Sequence, residues 1–292
     1  MIKIPYCTVD EVKAAIDFPS TGAPVSDADI LEFIYDAQAE IEDIYKTKFA
    51  NQEQTGTATA ATDSSLTDSG SAWTVDAYKN MTVHITGGTG AGQYRNIVSN
   101  TAEILNVEPN WDTNPDATST FEILTLGYVN EVVDGSGTNT QFVEYQPLVN
   151  LISLEVDSTA ITSSSVYQYP ASGKLVLSSS SEVQYFSITE PQLVNLHYIY
   201  GVNELPRIIK RLCVIMAAMR TLTSQIAGTY DDFTSISLPG LTGSKGEPYT
   251  NIREALSRMQ AEARGIVYGE LSEALGADMR KYPSYRPFVV FG

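Results

Sequence analysis

Cysteine, histidine and tryptophan each occur only twice in 292 residues, and these scarcities remove several chemistries before any motif is sought. Nucleophilic catalysis needs a base beside its nucleophile. The two histidines, His84 and His197, both fall in β-type runs and read as sheet residues, and neither adjoins Cys7 or Cys213 in the chain. No Cys-x-x-Cys or His-x-x-x-His spacing is present, so a zinc centre is not expected. One possible cysteine pair, far apart in sequence, is no disulfide framework, and both read as buried or incidental thiols. Basic residues are also scarce: 18 Lys and Arg stand against 35 Asp and Glu, a formal charge of −17. So negative a surface repels a phosphate backbone, which excludes tight wrapping around nucleic acid while allowing DNA to pass a wall without sticking. Long apolar runs are missing too. Leu212 to Met219 is closed off by Arg211 and Arg220, far short of the ~20 residues a membrane crossing needs. Met1-Ile2-Lys3-Ile4-Pro5 has no apolar signal-peptide core behind its charge. A soluble chain made inside a cell is expected, with no catalytic residue, cofactor or metal.

The abundance that most resembles a ligand site is glycine. Gly87 to Arg95 (GGTGAGQYR) holds four glycines in nine residues, spaced from Gly87 to Gly92 as in a phosphate loop. That loop requires a lysine and a hydroxyl next, where Gln93 and Tyr94 stand here. The dinucleotide spacing fails as well, at Gln93, and no helix follows to bring its N-terminus to the anion. Tyr94 to Val98 reads as strand, so the glycines are expected to shape a hairpin turn. Asp27 with Asp29 and Asp231 with Asp232 are acidic pairs without any calcium-loop signature; the first pair suits the opening turn of a helix. Trp73 and Trp111 flank the glycine loop and read as filling a small β core, with sugar stacking the other role open to them.

Along the chain, Thr8 with Glu11 forms a capping box before a short helix through Ile16, and Ser26 with Asp29 a second before a longer one. Ile30, Phe33, Ile34, Ala37, Ile41, Ile44 and Tyr45 lie at helical period on that second helix, with an acidic opposite side read as solvated surface. From Asn51 the composition turns to Thr, Ala, Ser, Gly and Asp, and helical periodicity is absent until beyond residue 200. Short strands are predicted at 81–86, 93–98, 103–107, 120–125, 127–133, 140–144, 152–156, 166–169, 174–177, 184–188 and 193–200, a spacing typical of small antiparallel sheets or barrels. Helix returns at Pro206 and runs to about Ala227; a last one covers roughly Asn251 to Leu271. The charges of the first, Arg207, Lys210, Arg211 and Arg220, are all basic in a chain otherwise acidic. They suit pairing with acids of their own or a neighbouring subunit. Residues 279–292 hold three basic residues, no acid, four aromatics and two helix-preventing prolines, a composition suited to an extended arm that adds to another chain.

Three stretches together resemble the head-tail connector proteins of tailed viruses, also called head completion or adaptor proteins. Tyr6 to Lys13 (YCTVDEVK) with Ser26 to Glu42 looks like that family's opening helical pair. Glu131 to Thr138 (EVVDGSGT), leading to Gln146-Pro147-Leu148 and Ile152 to Asp157, is similar to its strand-turn-strand segment. Tyr200-Gly201 with Leu205-Pro206 looks like the entry to its central helix. Between these, Thr67 to Trp73, Gly87 to Ile97, Ser99 to Thr101 and Trp111 to Asp116 resemble a small β module that recurs in virion proteins. The resemblance implies an α+β chain with a helical bundle core, two N-terminal and two C-terminal helices, antiparallel β segments, and an inserted small barrel or sandwich. The corresponding parts are 1–52, N-terminal helices; 53–126, inserted β module; 127–202, β region of the core; 203–275, C-terminal helices; and 276–292, extended arm.

It implies further a structural virion protein at the head-tail junction, assembled in the host cytoplasm, forming a homo-oligomeric ring, commonly a dodecamer, beneath the portal protein. A stopper, tail-terminator or tail protein would bind the other side, and viral DNA would pass through the lumen without sequence-specific binding. The docking arm to portal or neighbouring subunit would be Arg280, Lys281, Tyr282, Tyr285, Arg286, Phe288 and Phe291, and the ring-contact helix would present Arg207, Lys210, Arg211 and Arg220. The other reading of the Ser/Thr-rich β middle is a fibre or surface-attachment protein that binds glycans.

Overall fold

The computed structural model describes residues 4–16, 25–50, 52–188, 193–228, 237–238, 241–242 and 248–268. Both expected capping boxes form. Thr8 Oγ1 accepts from the Glu11 amide at 3.2 Å and Glu11 Oε2 accepts from the Thr8 amide at 3.0 Å, which starts α1 (Val9–Ala15). Ser26 and Asp29 exchange the same pair of bonds, each 3.2 Å, ahead of α2 (Asp27–Tyr45). Two amide donors at each start thereby find acceptors without solvent. The helical period of α2 then decides its packing: Ile30, Ile34, Ala37, Ile41 and Ile44 are buried, while Phe33 and Tyr45 at the margins of the stripe are half-buried. They face α3 (Arg207–Gly228), which also meets α1 and α4 (Pro248–Tyr268). Ile209, Leu212, Ile215, Met216 and Leu222 of α3 are buried, as are Met259, Ala263 and Ile266 of α4. These four helices form one compact unit from two separated stretches of chain, up to residue 45 and from residue 205.

Residues 46–204 form the other unit, built of three antiparallel sheets. The first has seven strands: β1 (Gln52–Thr57), β2 (Ala60–Thr62), β3 (Ser65–Thr67), β4 (Thr82–Gly87), β5 (Tyr94–Asn100), β6 (Ile104–Glu108) and β7 (Thr120–Leu124), in the order β1-β7-β4-β5-β6-β3-β2. The second holds β8 (Gly127–Val133), β10 (Leu148–Val156), β11 (Thr159–Ile161) and β14 (Val194–Tyr200), ordered β11-β10-β14-β8. The third is small, with β9 (Thr140–Phe142), β12 (Val166–Tyr169) and β13 (Lys174–Leu177) ordered β12-β13-β9. The second and third sheets share one apolar core in which Leu154, Val156, Leu175, Phe186, Val194, Leu196 and Tyr198 are essentially excluded from water. Each such side chain contributes roughly 1.5–3 kcal/mol of burial. A second cluster, Ala50, Leu124, Leu126 and Ile199, joins the end of β7 to β14.

This architecture corrects the expected fold class. The chain is mostly β, and no helical bundle forms its centre; the four helices stand as their own unit, and a separate apolar core lies between sheets. The physical reason is where apolar area concentrates. Strong helical stripes at both chain ends made the helices look central, but the strands hide their share of the core, because buried residues are spread unevenly over many short segments, from none in β1, β2 and β9 to five in β14. The sheet details differ as well. β1, β2 and β3 lie in the Thr/Ala/Ser-rich stretch where no strand was predicted, since mostly half-exposed small residues give almost no alternation. Residues 184–188, predicted as strand, belong to none; Phe186 is buried there, and its amide bonds the Thr138 carbonyl at 2.7 Å.

Candidate interaction surfaces and the glycine-rich loop

The glycine-rich loop joins antiparallel β4 and β5, and its polar groups are spent on the protein itself. The Gly92 amide donates to the Ile85 carbonyl at 2.8 Å, the Ala91 amide to Gly88 and the Gln93 amide to Gly90. Where a phosphate loop has its lysine, the Gln93 amide side chain staples two loops together. Its Nε2 donates to the Gly90 and Thr113 carbonyls at 3.0 and 2.8 Å, while its Oε1 accepts from the Asp112 and Thr113 amides. Gly88 is required on two counts. Its φ of +76° lies in the left-handed region, and a Cβ there would sit 2.2 Å from the Thr118 carbonyl oxygen. Thr89 Oγ1 and Thr118, through its amide and its hydroxyl, donate to the Asp116 carboxylate. The bonds from Thr118, then from Thr89, hold that carboxyl below its ordinary range.

Arg95 completes the clamp. Its side chain is 2 % exposed although it carries a charge, with Nε donating to the Asn110 carbonyl at 2.9 Å and Nη1 to the Tyr94 carbonyl at 2.8 Å. Nη2 meets Asp112 at 2.9 Å, and the guanidinium lies 5.6 Å from the Trp111 ring centre. Trp111 is buried and donates Nε1–H to the Ser65 carbonyl; Trp73 is buried edge-on against Tyr78 and Phe121. Neither tryptophan offers an open ring face for a sugar. His84 stacks on Tyr94 at 3.9 Å and meets Glu122 at 2.9 Å, whereas His197 lies in β14 near Tyr128. Both are sheet residues of the β unit, and Cys7 and Cys213 belong to the helical one.

Of the basic positions on α3, three are engaged by acids of their own unit. Lys210 meets Glu11 at 2.6 Å, Arg211 grips Glu262 with two nitrogens at 2.8 and 3.2 Å, and Arg220 meets Glu40 at 2.6 Å. Arg207 is exposed, with no ion pair among the described residues. Burial alone would raise the Glu11 carboxyl, but its bonds from Lys210 and Thr8 outweigh that and leave it lowered. Asp29 serves the α2 cap and Asp27 pairs with Lys13. Asp231, Asp232 and the whole proposed arm, Arg280, Lys281, Tyr282, Tyr285, Arg286, Phe288 and Phe291, lie outside the described residues. No helix among the described residues is long and apolar enough to cross a membrane.

One surface was not read from the sequence. Register places Tyr169, Lys174 and Phe142 in one row across the third sheet and Tyr167, Val176 and Thr140 in the next. Leu175 and Leu177 point to the core, so alternation turns these rows to the opposite face. There Phe142, Tyr167 and Tyr169 are 58, 62 and 51 % exposed, with the Lys174 ammonium 5.2 Å from the Tyr169 ring centre. The segment 185–188, bonded to residues 137 and 138, adds exposed Tyr185 and Ile188. Three large aromatics on one small sheet face form an apolar patch of the kind that marks a contact surface. The signal was present as Tyr167-x-Tyr169, but alternation alone does not say which face is wet.

No protein-family model and no curated protein matches the chain. Among solved structures, a chain from a structure described as the virion of a native gene transfer agent (GTA) particle is similar at 11 % identity and a TM-score of 0.35. The match covers 86 % of this chain and 87 % of that one, and a likeness of that degree establishes neither fold nor function.

Proposed function

We propose that the protein is a structural component of a tailed virion, a head-tail connector that assembles as a ring beneath a portal. The observation that carries this reading is the exposed aromatic face of β9, β12 and β13, since an isolated subunit leaves Phe142, Tyr167 and Tyr169 in water and a neighbouring copy would cover them. A repeated contact of one patch with a different patch on the next copy closes into a ring when the rotation it imposes closes. The sequence resemblance of residues 6–13, 26–42, 131–138, 146–148, 152–157, 200–201 and 205–206 to connector proteins supports the same reading, as does the acidic charge, which lets DNA pass a lumen without adhering. Residues 279–292 serve as the arm that reaches the portal or the next subunit, and Arg207 is the α3 cation free to contribute to ring contacts.

Negative-stain imaging of the purified protein, alone and with a portal, tests the proposal. A ring with a central hole is expected, and removal of residues 279–292 is expected to abolish portal attachment. A monodisperse monomer at high concentration that ignores the portal would overturn the reading, and an elongated trimer would favour a glycan-binding fibre.

A further inference from the structure

The two cysteines, too far apart in sequence to suggest a pair, meet in the helical unit. Cys7 Sγ lies 3.7 Å from Cys213 Sγ, and Cys213 lies 3.8 Å from the Ile34 carbonyl, so one thiol donates to the other and the second to α2. Both are 2 % exposed or less. We infer that Cys7 and Cys213 form a cross-link site, in which a disulfide oxidant joins the segment before α1 to the first half of α3. A disulfide needs the sulfurs at about 2.05 Å, and neighbouring thiols in contact reach that by side-chain rotation and a small shift of one segment.

The location gives the bond a consequence beyond ordinary stapling. The helical unit consists of two chain stretches separated in sequence by the whole β unit, and among the described residues the links made directly between them are non-covalent. A Cys7–Cys213 bond would make the helical unit covalently continuous whatever happens in residues 46–204. Access requires local opening, because both sulfurs are covered. The element that must lift is slight: α1 has seven residues with Val12 buried, and its polar ties include Glu11 to Lys210, Lys13 to Asp27, and Tyr6 just ahead of it to Glu42.

The step is thiol–disulfide exchange with oxidised glutathione. One cysteine thiolate attacks a glutathione sulfur, and the glutathione thiolate released takes up a proton. The second cysteine, its proton lost to water, then displaces the second glutathione as the Cys7–Cys213 bond forms. Two protein thiols are oxidised and one glutathione disulfide is reduced to two thiols. The bond from Cys7, then burial, pushes the Cys213 thiol up, so the exchange is slow in the closed state.

The full chain is incubated with oxidised glutathione in sub-denaturing urea, at a concentration where iodoacetamide separately shows both sulfurs reachable. Expected are a mass loss of about 2 Da from two departed hydrogens, a cross-linked peptide holding residues 7 and 213, and a thermal midpoint raised by roughly 5–10 °C. C7S and C213S are expected to fold and to show neither the cross-link nor the rise. Two thiols still free after that incubation, or glutathione adducts on both cysteines without a bridge, would overturn the inference.

Discussion

Arg95 shows how one residue can look like a ligand-binding group and act as a fastener. It is the only arginine between residues 46 and 204, and its side chain is enclosed by two carbonyls, the Asp112 carboxylate and the ring of Trp111. Replacing it with alanine strands those carbonyls and leaves a void, so R95A is expected to destabilise by about 2–4 kcal/mol in urea unfolding. D112N should cost under about 1 kcal/mol, because the Asp112 carboxylate is 84 % exposed and its charge is largely met by water. The same loop gives a second contrast. G88A combines a left-handed backbone with a collision against main chain and should cost roughly 3 kcal/mol or more. At Gly92, φ is +90° but nothing lies within 4 Å of an added Cβ, so G92A should cost only about 1–2 kcal/mol. That the loop binds no phosphate was legible from Gln93 and Tyr94 in sequence; that Gln93 itself locks the loop was not, because its partners at 112 and 113 are brought there by β6 and β7.

Among the elements, helices were far easier to read than strands. Capping boxes and a 3.6-residue stripe are local signals, and α1, α2, α3 and α4 follow them closely. β1 to β3 have no comparable signal, since pairing of β1 with β7, of β3 with β6 and of β2 with β3 rather than their own composition holds them. Pairing also creates chemistry that no single strand encodes. β8 and β14 bring the Tyr198 hydroxyl to Glu131 Oε1 at 3.1 Å. Burial foremost, with the nearby Glu144 charge, raises the Glu131 carboxyl despite that bond, and the Tyr198 hydroxyl is raised as well. A carboxyl raised by folding makes the native state bind the proton more tightly. Its contribution is therefore fully present below the ordinary carboxylate value and is lost as pH rises through the raised one. E131Q should remove that loss: the stability difference between E131Q and the parent is expected to grow in the variant's favour as pH rises through the weakly acidic range, read by urea unfolding at each pH.

At the scale of the molecule, the expected helical centre gave way to a β-rich chain whose helical unit is drawn from both sides of residues 46–204 in sequence, and the face of β9, β12 and β13 gathers three exposed aromatics among the described residues. Triple replacement of Phe142, Tyr167 and Tyr169 by serine should leave far-ultraviolet circular dichroism unchanged and shift the proposed ring to smaller species in light scattering, because those rings contribute little to the subunit's own core. The amino-acid sequence by itself determined the helices with their caps, the hairpin nature of the glycine-rich loop and the net negative charge, all of which depend on residues within a few positions or on simple counts. Only the tertiary structure decided that an apolar core of its own forms between two of the sheets, which face of a three-stranded sheet stays wet, and that Cys7 meets Cys213. Each of those depends on pairing between distant segments, and a strand's period of two specifies two faces without specifying which one is buried.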